Sequence, residues 1–324
     1  MRSVTKILLP ALLGLAAACG EEVAGPTESG ADARVEVDAG VTPAVDASSS
    51  VDAAAPDACA ESAPPGPPAD PAPAQPSSGC GSAAPSTGET TITVGSESRA
   101  YRLNLPGGYD SSTPYPLILG FHGATSSAQA FESSYYGGLG PVAGDHAILV
   151  YPQALVRTIQ SNTQVQWQIS EPEDLAFFDA LVARLSDELC VDQGRVFATG
   201  HSSGAYFTNR LGCERGDVLR AIAPLAGGGP ITYFTGPCVG QVAVWLEHGD
   251  SDTVVSIPAG EGSRDLWRDE NSCGTEVRWA YPCDCVSYQG CDPGYPVHWC
   301  VSSGGHEPRP GFTADGSWEF FRSL

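Results

Sequence analysis

The chain has 324 residues and a formal net charge of −22, with 38 Asp and Glu against 16 Lys and Arg. That balance excludes a basic face for nucleic acid or for anionic membrane, since either partner would be repelled. The composition is also uneven. Residues 20–79 hold 11 acidic residues, a single Arg (Arg34) and 10 prolines, with no Leu, Ile or aromatic residue, while all 27 aromatics lie at or after Tyr101.

In chain order, Met1 to Cys19 reads as an export signal. Arg2 and Lys6 make a basic start, and the apolar run Ile7 to Ala18 is too short to span a bilayer. Ala16-Ala17-Ala18-Cys19 followed by Gly20 resembles the bacterial lipoprotein processing site, with Ala16 where Leu is commoner. The resemblance implies a lipid on Cys19 and membrane association only through that anchor. Ordinary cleavage and free secretion are the alternative, and both imply export. Residues 20–79 cannot bury enough apolar surface to offset the entropy of ordering, which predicts a disordered acidic linker. Residues 80–324 remain as one globular domain, itself acidic with 27 acidic and 13 basic residues.

Ten cysteines follow Cys19: Cys59, Cys80, Cys190, Cys213, Cys238, Cys273, Cys283, Cys285, Cys291 and Cys300. An even number in an exported chain predicts disulfides. A metal site is the rival reading for Cys283, Cys285 and Cys291, but the paired C-x-x-C spacing is missing and no His stands at a matching interval. No metal is expected.

Within the domain, apolar runs predict strands at Tyr101 to Leu105, Leu117 to Phe121, Ala147 to Tyr151, Val196 to Thr199, Ala221 to Leu225, Val242 to Leu246 and Val297 to Val301. Their continuous apolar character suggests burial on both faces, as in a parallel sheet. Glu173 to Leu189 shows helical spacing, with Ser170 and Glu173 as a capping box and Pro172 in the first turn. A helix is expected after Ser203 and another at Ser317 to Arg322. Strand and helix alternate, so the fold class is α/β with a mostly parallel central sheet and helices on both faces.

The segment Val196-Phe197-Ala198-Thr199-Gly200-His201-Ser202-Ser203-Gly204-Ala205 places G-x-S-x-G between a buried strand and a helix, the setting of a nucleophile elbow. Ser202 is then thrust out at the carboxyl edge of the sheet, and the Ser203 N–H can face an oxyanion. A serine hydroxyl needs a base to take its proton. With partners in the order Ser, acid, His, only His298 and His306 lie far enough downstream. His298 falls inside a predicted strand, whereas His306 sits in the loop after it, so His306 is chosen. The acid is expected after the strand Val242 to Leu246, where Asp250 and Asp252 both qualify. Its task is to hold the imidazole tautomer and stabilise the imidazolium. A second oxyanion donor is expected in the turn after Leu117 to Phe121, from the N–H of Ala124 or Thr125. His122 is read as a brace for that turn. His201 is expected to turn its side chain away from the serine, and His146 and His248 are read as structural.

Gly79-Cys80-Gly81, the strand and turn to Gly123, Leu189-Cys190-Val191-Asp192 and the stretch to Gly204 resemble carbohydrate esterases of the feruloyl esterase type, relatives of extracellular polyhydroxybutyrate depolymerases. So do His248-Gly249-x-x-Asp252, Tyr288-Gln289-Gly290-Cys291, Gly294-Tyr295-Pro296-Val297-x-Trp299, Gly304-Gly305-His306 and Trp318-x-Phe320-Phe321. The resemblance implies an α/β-hydrolase fold and a serine esterase of Ser202, Asp252 and His306 that works without a cofactor on an ester-bearing polysaccharide or polyester. It places the acid at Asp252. Rival activities are polyhydroxybutyrate depolymerase, acetylxylan esterase or peptidase, and the rival of another kind is a non-catalytic surface binding module. Ala205 stands where the family often has Gly, a departure expected to narrow the approach to the serine. Cys283, Cys285 and Cys300 look additional to the family's cysteines, suggesting an extra bridge near His306. Trp167, Tyr135 and Tyr136 are aromatic candidates for the acyl site, with core or surface roles as the alternative.

Overall fold

Apolar runs that lack a polar face must be covered on both sides, and in this chain they line up at the centre of one sheet. The computed structural model describes residues 72–135, 139–159, 161–230 and 236–324. Cys19 and residues 20–71 of the expected linker lie outside the described residues. The central strands are β3 (Tyr115–Phe121), β4 (Ile148–Pro152), β7 (Val191–His201), β8 (Ala221–Leu225), β9 (Ala243–Gly249) and β12 (Val297–Ser302). They pair in parallel in the order β4-β3-β7-β8-β9-β12. The hairpin β1 (Gly88–Val94) and β2 (Glu97–Asn104) closes one side antiparallel to β4. On the other side β11 (Cys285–Tyr288) and β10 (Val277–Ala280) continue antiparallel from β12.

Alternate residues of each strand enter opposite cores. Leu117, Leu119, Val196, Ala198, Val244 and Leu246 face one layer, and Ile118, Phe197, Ala243 and Trp245 the other. The first layer is covered by α3 (Glu173–Glu188), α4 (Ser203–Glu214) and α5 (Ile257–Glu270), the second by α2 (Leu139–Ala143) and α6 (Thr313–Arg322). A single turn, α1 (Ala128–Ala130), and a π turn at Phe131–Tyr135 follow β3. A separate hairpin of β5 (Val156–Ile159) and β6 (Asn162–Val165) stands off the sheet.

The structure changes three readings. Residues 75–79 belong to the domain rather than to the linker: the Ser77 N–H donates to the Val191 carbonyl, the Gly79 N–H to Ser186, and the Gln75 N–H to Asp192. There is no capping box on α3. Its N-cap is Pro172, so Glu173 is one residue into the helix instead of three, and the Ser170 hydroxyl bonds Gln168. Helix α6 begins at Thr313, four residues before Ser317. Among the described residues four disulfides form, Cys80–Cys190, Cys213–Cys238, Cys273–Cys291 and Cys285–Cys300. The last is the expected bridge in the strand that leads to His306. Cys59 lies outside the described residues.

Candidate active site

Strand order reverses direction beside β3: the chain passes from β3 outward to β4, then returns to β7 on the other flank. In open α/β sheets, the crevice at the carboxyl ends of two such strands is where ligands bind. Phe121 at the end of β3 pairs in register with Gly200 of β7. The turn 122–125 and the elbow at Ser202 therefore leave the sheet side by side.

The elbow is tight because α4 starts almost on top of β7. A β-carbon on Gly204 would lie 2.0 Å from the Phe121 carbonyl oxygen, and one on Gly200 would lie 2.5 Å from that of Gly204. Between them Ser202 has φ 55 and ψ −118 and makes no side-chain cap to the helix. Its N–H donates to the Leu225 carbonyl, while its carbonyl accepts from Ala205 and Tyr206. Ala205 is fully buried, with its methyl group against Gly227.

The candidate acid and base follow neighbouring parallel strands, β9 and β12. The Asp250 N–H donates to Ser302 and the Ser251 N–H to Gly304, knitting the loop after β9 to the loop after β12. The approach leaves no room for a side chain, since a β-carbon on Gly249 would lie 2.2 Å from the Gly305 carbonyl oxygen. Here His306 Nδ1 lies 2.7 Å from Asp252 Oδ2. The other carboxylate oxygen accepts the N–H groups of Val254 and Val255. Burial opposes ionisation of Asp252. The His306 ring and the two amides outweigh it, holding the carboxyl below the usual carboxylate range. Asp250, by contrast, is exposed, and its carboxylate accepts from the adjacent Ser251 hydroxyl. With Nδ1 held by Asp252, His306 has Nε2 available for a hydroxyl proton.

Of the oxyanion candidates, the backbone N–H groups of Ala124 and Ser203 make no backbone hydrogen bond among the described residues. Thr125 does not fit the role: its N–H donates to the Val165 carbonyl at 2.9 Å. His122 braces the turn as expected. Its Nδ1 donates to the Gly123 carbonyl and its Nε2 accepts the Ala154 N–H, with burial pushing the imidazole below its ordinary value.

Two further residues take part in ways the sequence did not show. His201 turns toward His306: its Nε2 donates to the His306 carbonyl at 2.6 Å, and the two rings are 4.7 Å apart. Burial pushes it down to about 4, with the His306 carbonyl partly offsetting, so it is neutral at ordinary pH. His248 Nε2 donates to the Val255 carbonyl and lies 3.5 Å from Asp252 Oδ2, closing the far side of the carboxylate. His298, in β12, packs against Phe320 of α6. Trp167, one of the aromatic candidates for the acyl site, is 1% exposed and cannot line an open pocket. The side chains of Tyr135 and Tyr136 lie outside the described residues. Among the described residues no group of His, Cys, Asp and Glu is placed to hold a metal ion.

No family model matches the chain. Curated relatives do. Feruloyl esterase D of Neurospora crassa is 34% identical over 275 residues, spanning 74% of this chain and 90% of the relative. A probable feruloyl esterase C of Aspergillus terreus is 33% identical, spanning 72% and 88%, and feruloyl esterase C of Emericella nidulans is 30% identical, spanning 69% and 83%. Among solved structures, an acetyl xylan esterase from Aspergillus awamori matches with TM-score 0.57 at 14% identity, covering 73% of this chain and 100% of that one. A ferulic acid esterase matches with TM-score 0.52 at 13% identity, covering 73% and 96%. At such identities the solved structures speak for the fold alone.

Proposed function

We propose, from the premise that this chain belongs to the feruloyl esterase family, that Ser202, His306 and Asp252 form its catalytic triad and that the N–H groups of Ala124 and Ser203 form its oxyanion hole. The protein is a carboxylic-ester hydrolase with the α/β-hydrolase fold. Its substrate is a hydroxycinnamoyl ester on a plant cell-wall polysaccharide. The observation that supports the triad most directly is the 2.7 Å contact between His306 Nδ1 and Asp252, on the sheet edge where the elbow holds Ser202.

In this reading His306 Nε2 takes the Ser202 proton as Oγ bonds the ester carbonyl carbon. Negative charge then develops on the carbonyl oxygen, where fixed amides stabilise it far better than water would. Asp252 stabilises the imidazolium. Collapse of the tetrahedral adduct breaks the bond to the sugar oxygen, which leaves with the proton from His306. Water, deprotonated by the same imidazole, then cleaves the acyl-enzyme and restores Ser202.

The test is a panel of methyl ferulate, feruloylated arabinoxylan, acetylated xylan and hydroxybutyrate oligomers. We expect the feruloyl esters to be fastest, with Ser202→Ala lowering their turnover by about 10³-fold or more while the protein stays folded. Faster release of hydroxybutyrate would move the assignment to a polyester depolymerase. Undiminished turnover in Ser202→Ala would remove the serine mechanism.

The four disulfides support an oxidising, extracytoplasmic location. We assign the anchor to Cys19 from the Ala16-Ala17-Ala18-Cys19 pattern. Palmitate should label the expressed chain and not Cys19→Ser, and an unlabelled wild type in the culture medium would show free secretion instead.

A further inference from the structure

We infer that Trp167 is a positioning residue that sets the spacing between the two oxyanion amides, those of Ala124 and Ser203. The inference rests on the catalytic reading above and concerns how its most sensitive geometry is held. Neither donor segment bonds the other: one is the turn after β3, the other the first residue of α4. Trp167 bonds both. Its indole Nε1–H donates to the His122 carbonyl at 2.8 Å, two residues before Ala124, and its backbone N–H donates to the Ser203 hydroxyl at 3.1 Å. The indole lies flat on Phe207 of α4, with centroids 5.2 Å apart and planes at 7°, and meets Phe121 of β3 edge-on at 5.1 Å.

The same short segment is fixed at both ends. Two residues earlier, the Val165 carbonyl accepts the Thr125 N–H, so the turn is gripped on each side of Ala124. One residue later, the Gln168 N–H donates to Asp174 Oδ2 at 2.7 Å. Asp174 is fully buried and is also bound by Arg99 and Arg157. Residues 165–168 are therefore a strap from the β5–β6 hairpin to α3 that crosses both halves of the hole. The indole is rigid and 1% exposed, so it cannot follow a substrate. Its role is to keep two amides at the separation that the tetrahedral oxygen requires, a term that acts on the transition state and not on ground-state binding.

The test substitutes Trp167→Phe, which keeps the stacked ring and deletes the N–H to His122. Activity is read per titrated active site, using a phosphonate that labels Ser202. Loss of one oxyanion donor costs about 10²–10³ in turnover. A misplaced pair should cost less, so kcat for methyl ferulate should fall about 10- to 100-fold with KM within about threefold. Inhibition by an aryl boronate, which forms a tetrahedral adduct on the serine, should weaken in parallel, while binding of free ferulate stays unchanged. Ser203→Ala tests the other end of the strap without touching the core, and should lower kcat in the same pattern by a smaller factor. This variant carries the test if Trp167→Phe does not fold.

Wild-type kcat per titrated site in the folded variants would overturn the inference, as would a loss shared equally by ferulate binding and turnover. If Ser202→Ala retains activity, the catalytic reading fails and the inference with it. If Ser202→Ala is inactive and Trp167→Phe is not impaired, only the inference fails.

Discussion

Ser202 occupies a positive-φ conformation that costs a side-chain-bearing residue about 1–3 kcal/mol, a cost met by the surrounding fold. Glu247 is also held against its preference, by burial. It lies in β9, 2% exposed, on the face opposite His248. Burial pushes its carboxyl up to about 7, with the Thr313 hydroxyl and the Arg309 cation pulling it back only in part. Between its ordinary value of 4.5 and about 7, the folded chain keeps a proton that the unfolded chain has released. Its contribution to stability therefore falls as pH rises through that window and is flat above it. Glu247→Gln should raise Tm above the window by several °C, at about 2–4 °C per kcal/mol for a domain of this size. The gain should vanish below pH 4.5, and melting curves across pH check both signs. His201 runs the other way: its contribution is present above its ordinary value of 6.5 and is lost as pH falls toward about 4.

At the scale of elements, the buried strands were legible because uninterrupted apolar runs admit few other fates. The hairpins were less so, although the run from Tyr101 marked part of β2. In β1 the residues alternate between half-buried and exposed, and β5, β6, β10 and β11 are four residues each, too short for periodicity to separate from loop. Helix α5 escaped notice because Gly260, Gly262 and Pro258 interrupt its pattern. It forms because Trp267 packs into the core and donates to Asn209. The β11–β12 pair is tied by Cys285–Cys300, which face each other in register and close a loop of 15 residues. Replacing both by Ser should cost about 3 kcal/mol, mainly by freeing the unfolded chain. Urea unfolding should show this difference, and reduced wild type should lose at least as much.

For the molecule as a whole, local sequence could name the serine and the histidine because each sits in a short motif at a strand end. Spacing alone leaves Asp250 and Asp252 both open, and it was the resemblance to the esterases that favoured Asp252, the one that meets His306 in the structure. The strap at Trp167 was harder still, since its two partners stand 45 and 36 residues away and neither spacing carries a pattern. Residues 75–79 add one more consequence. They dock where β7 begins, at Val191 and Asp192, whereas Ser202 follows its last residue, His201. Along the partner strand β3, where Tyr115 pairs with Val191 and Phe121 with Gly200, the two points are six residues apart, roughly 20 Å at about 3.3 Å each. A support coupled at residue 75 would thus meet the sheet at the end opposite the Ser202 elbow and leave that crevice uncovered.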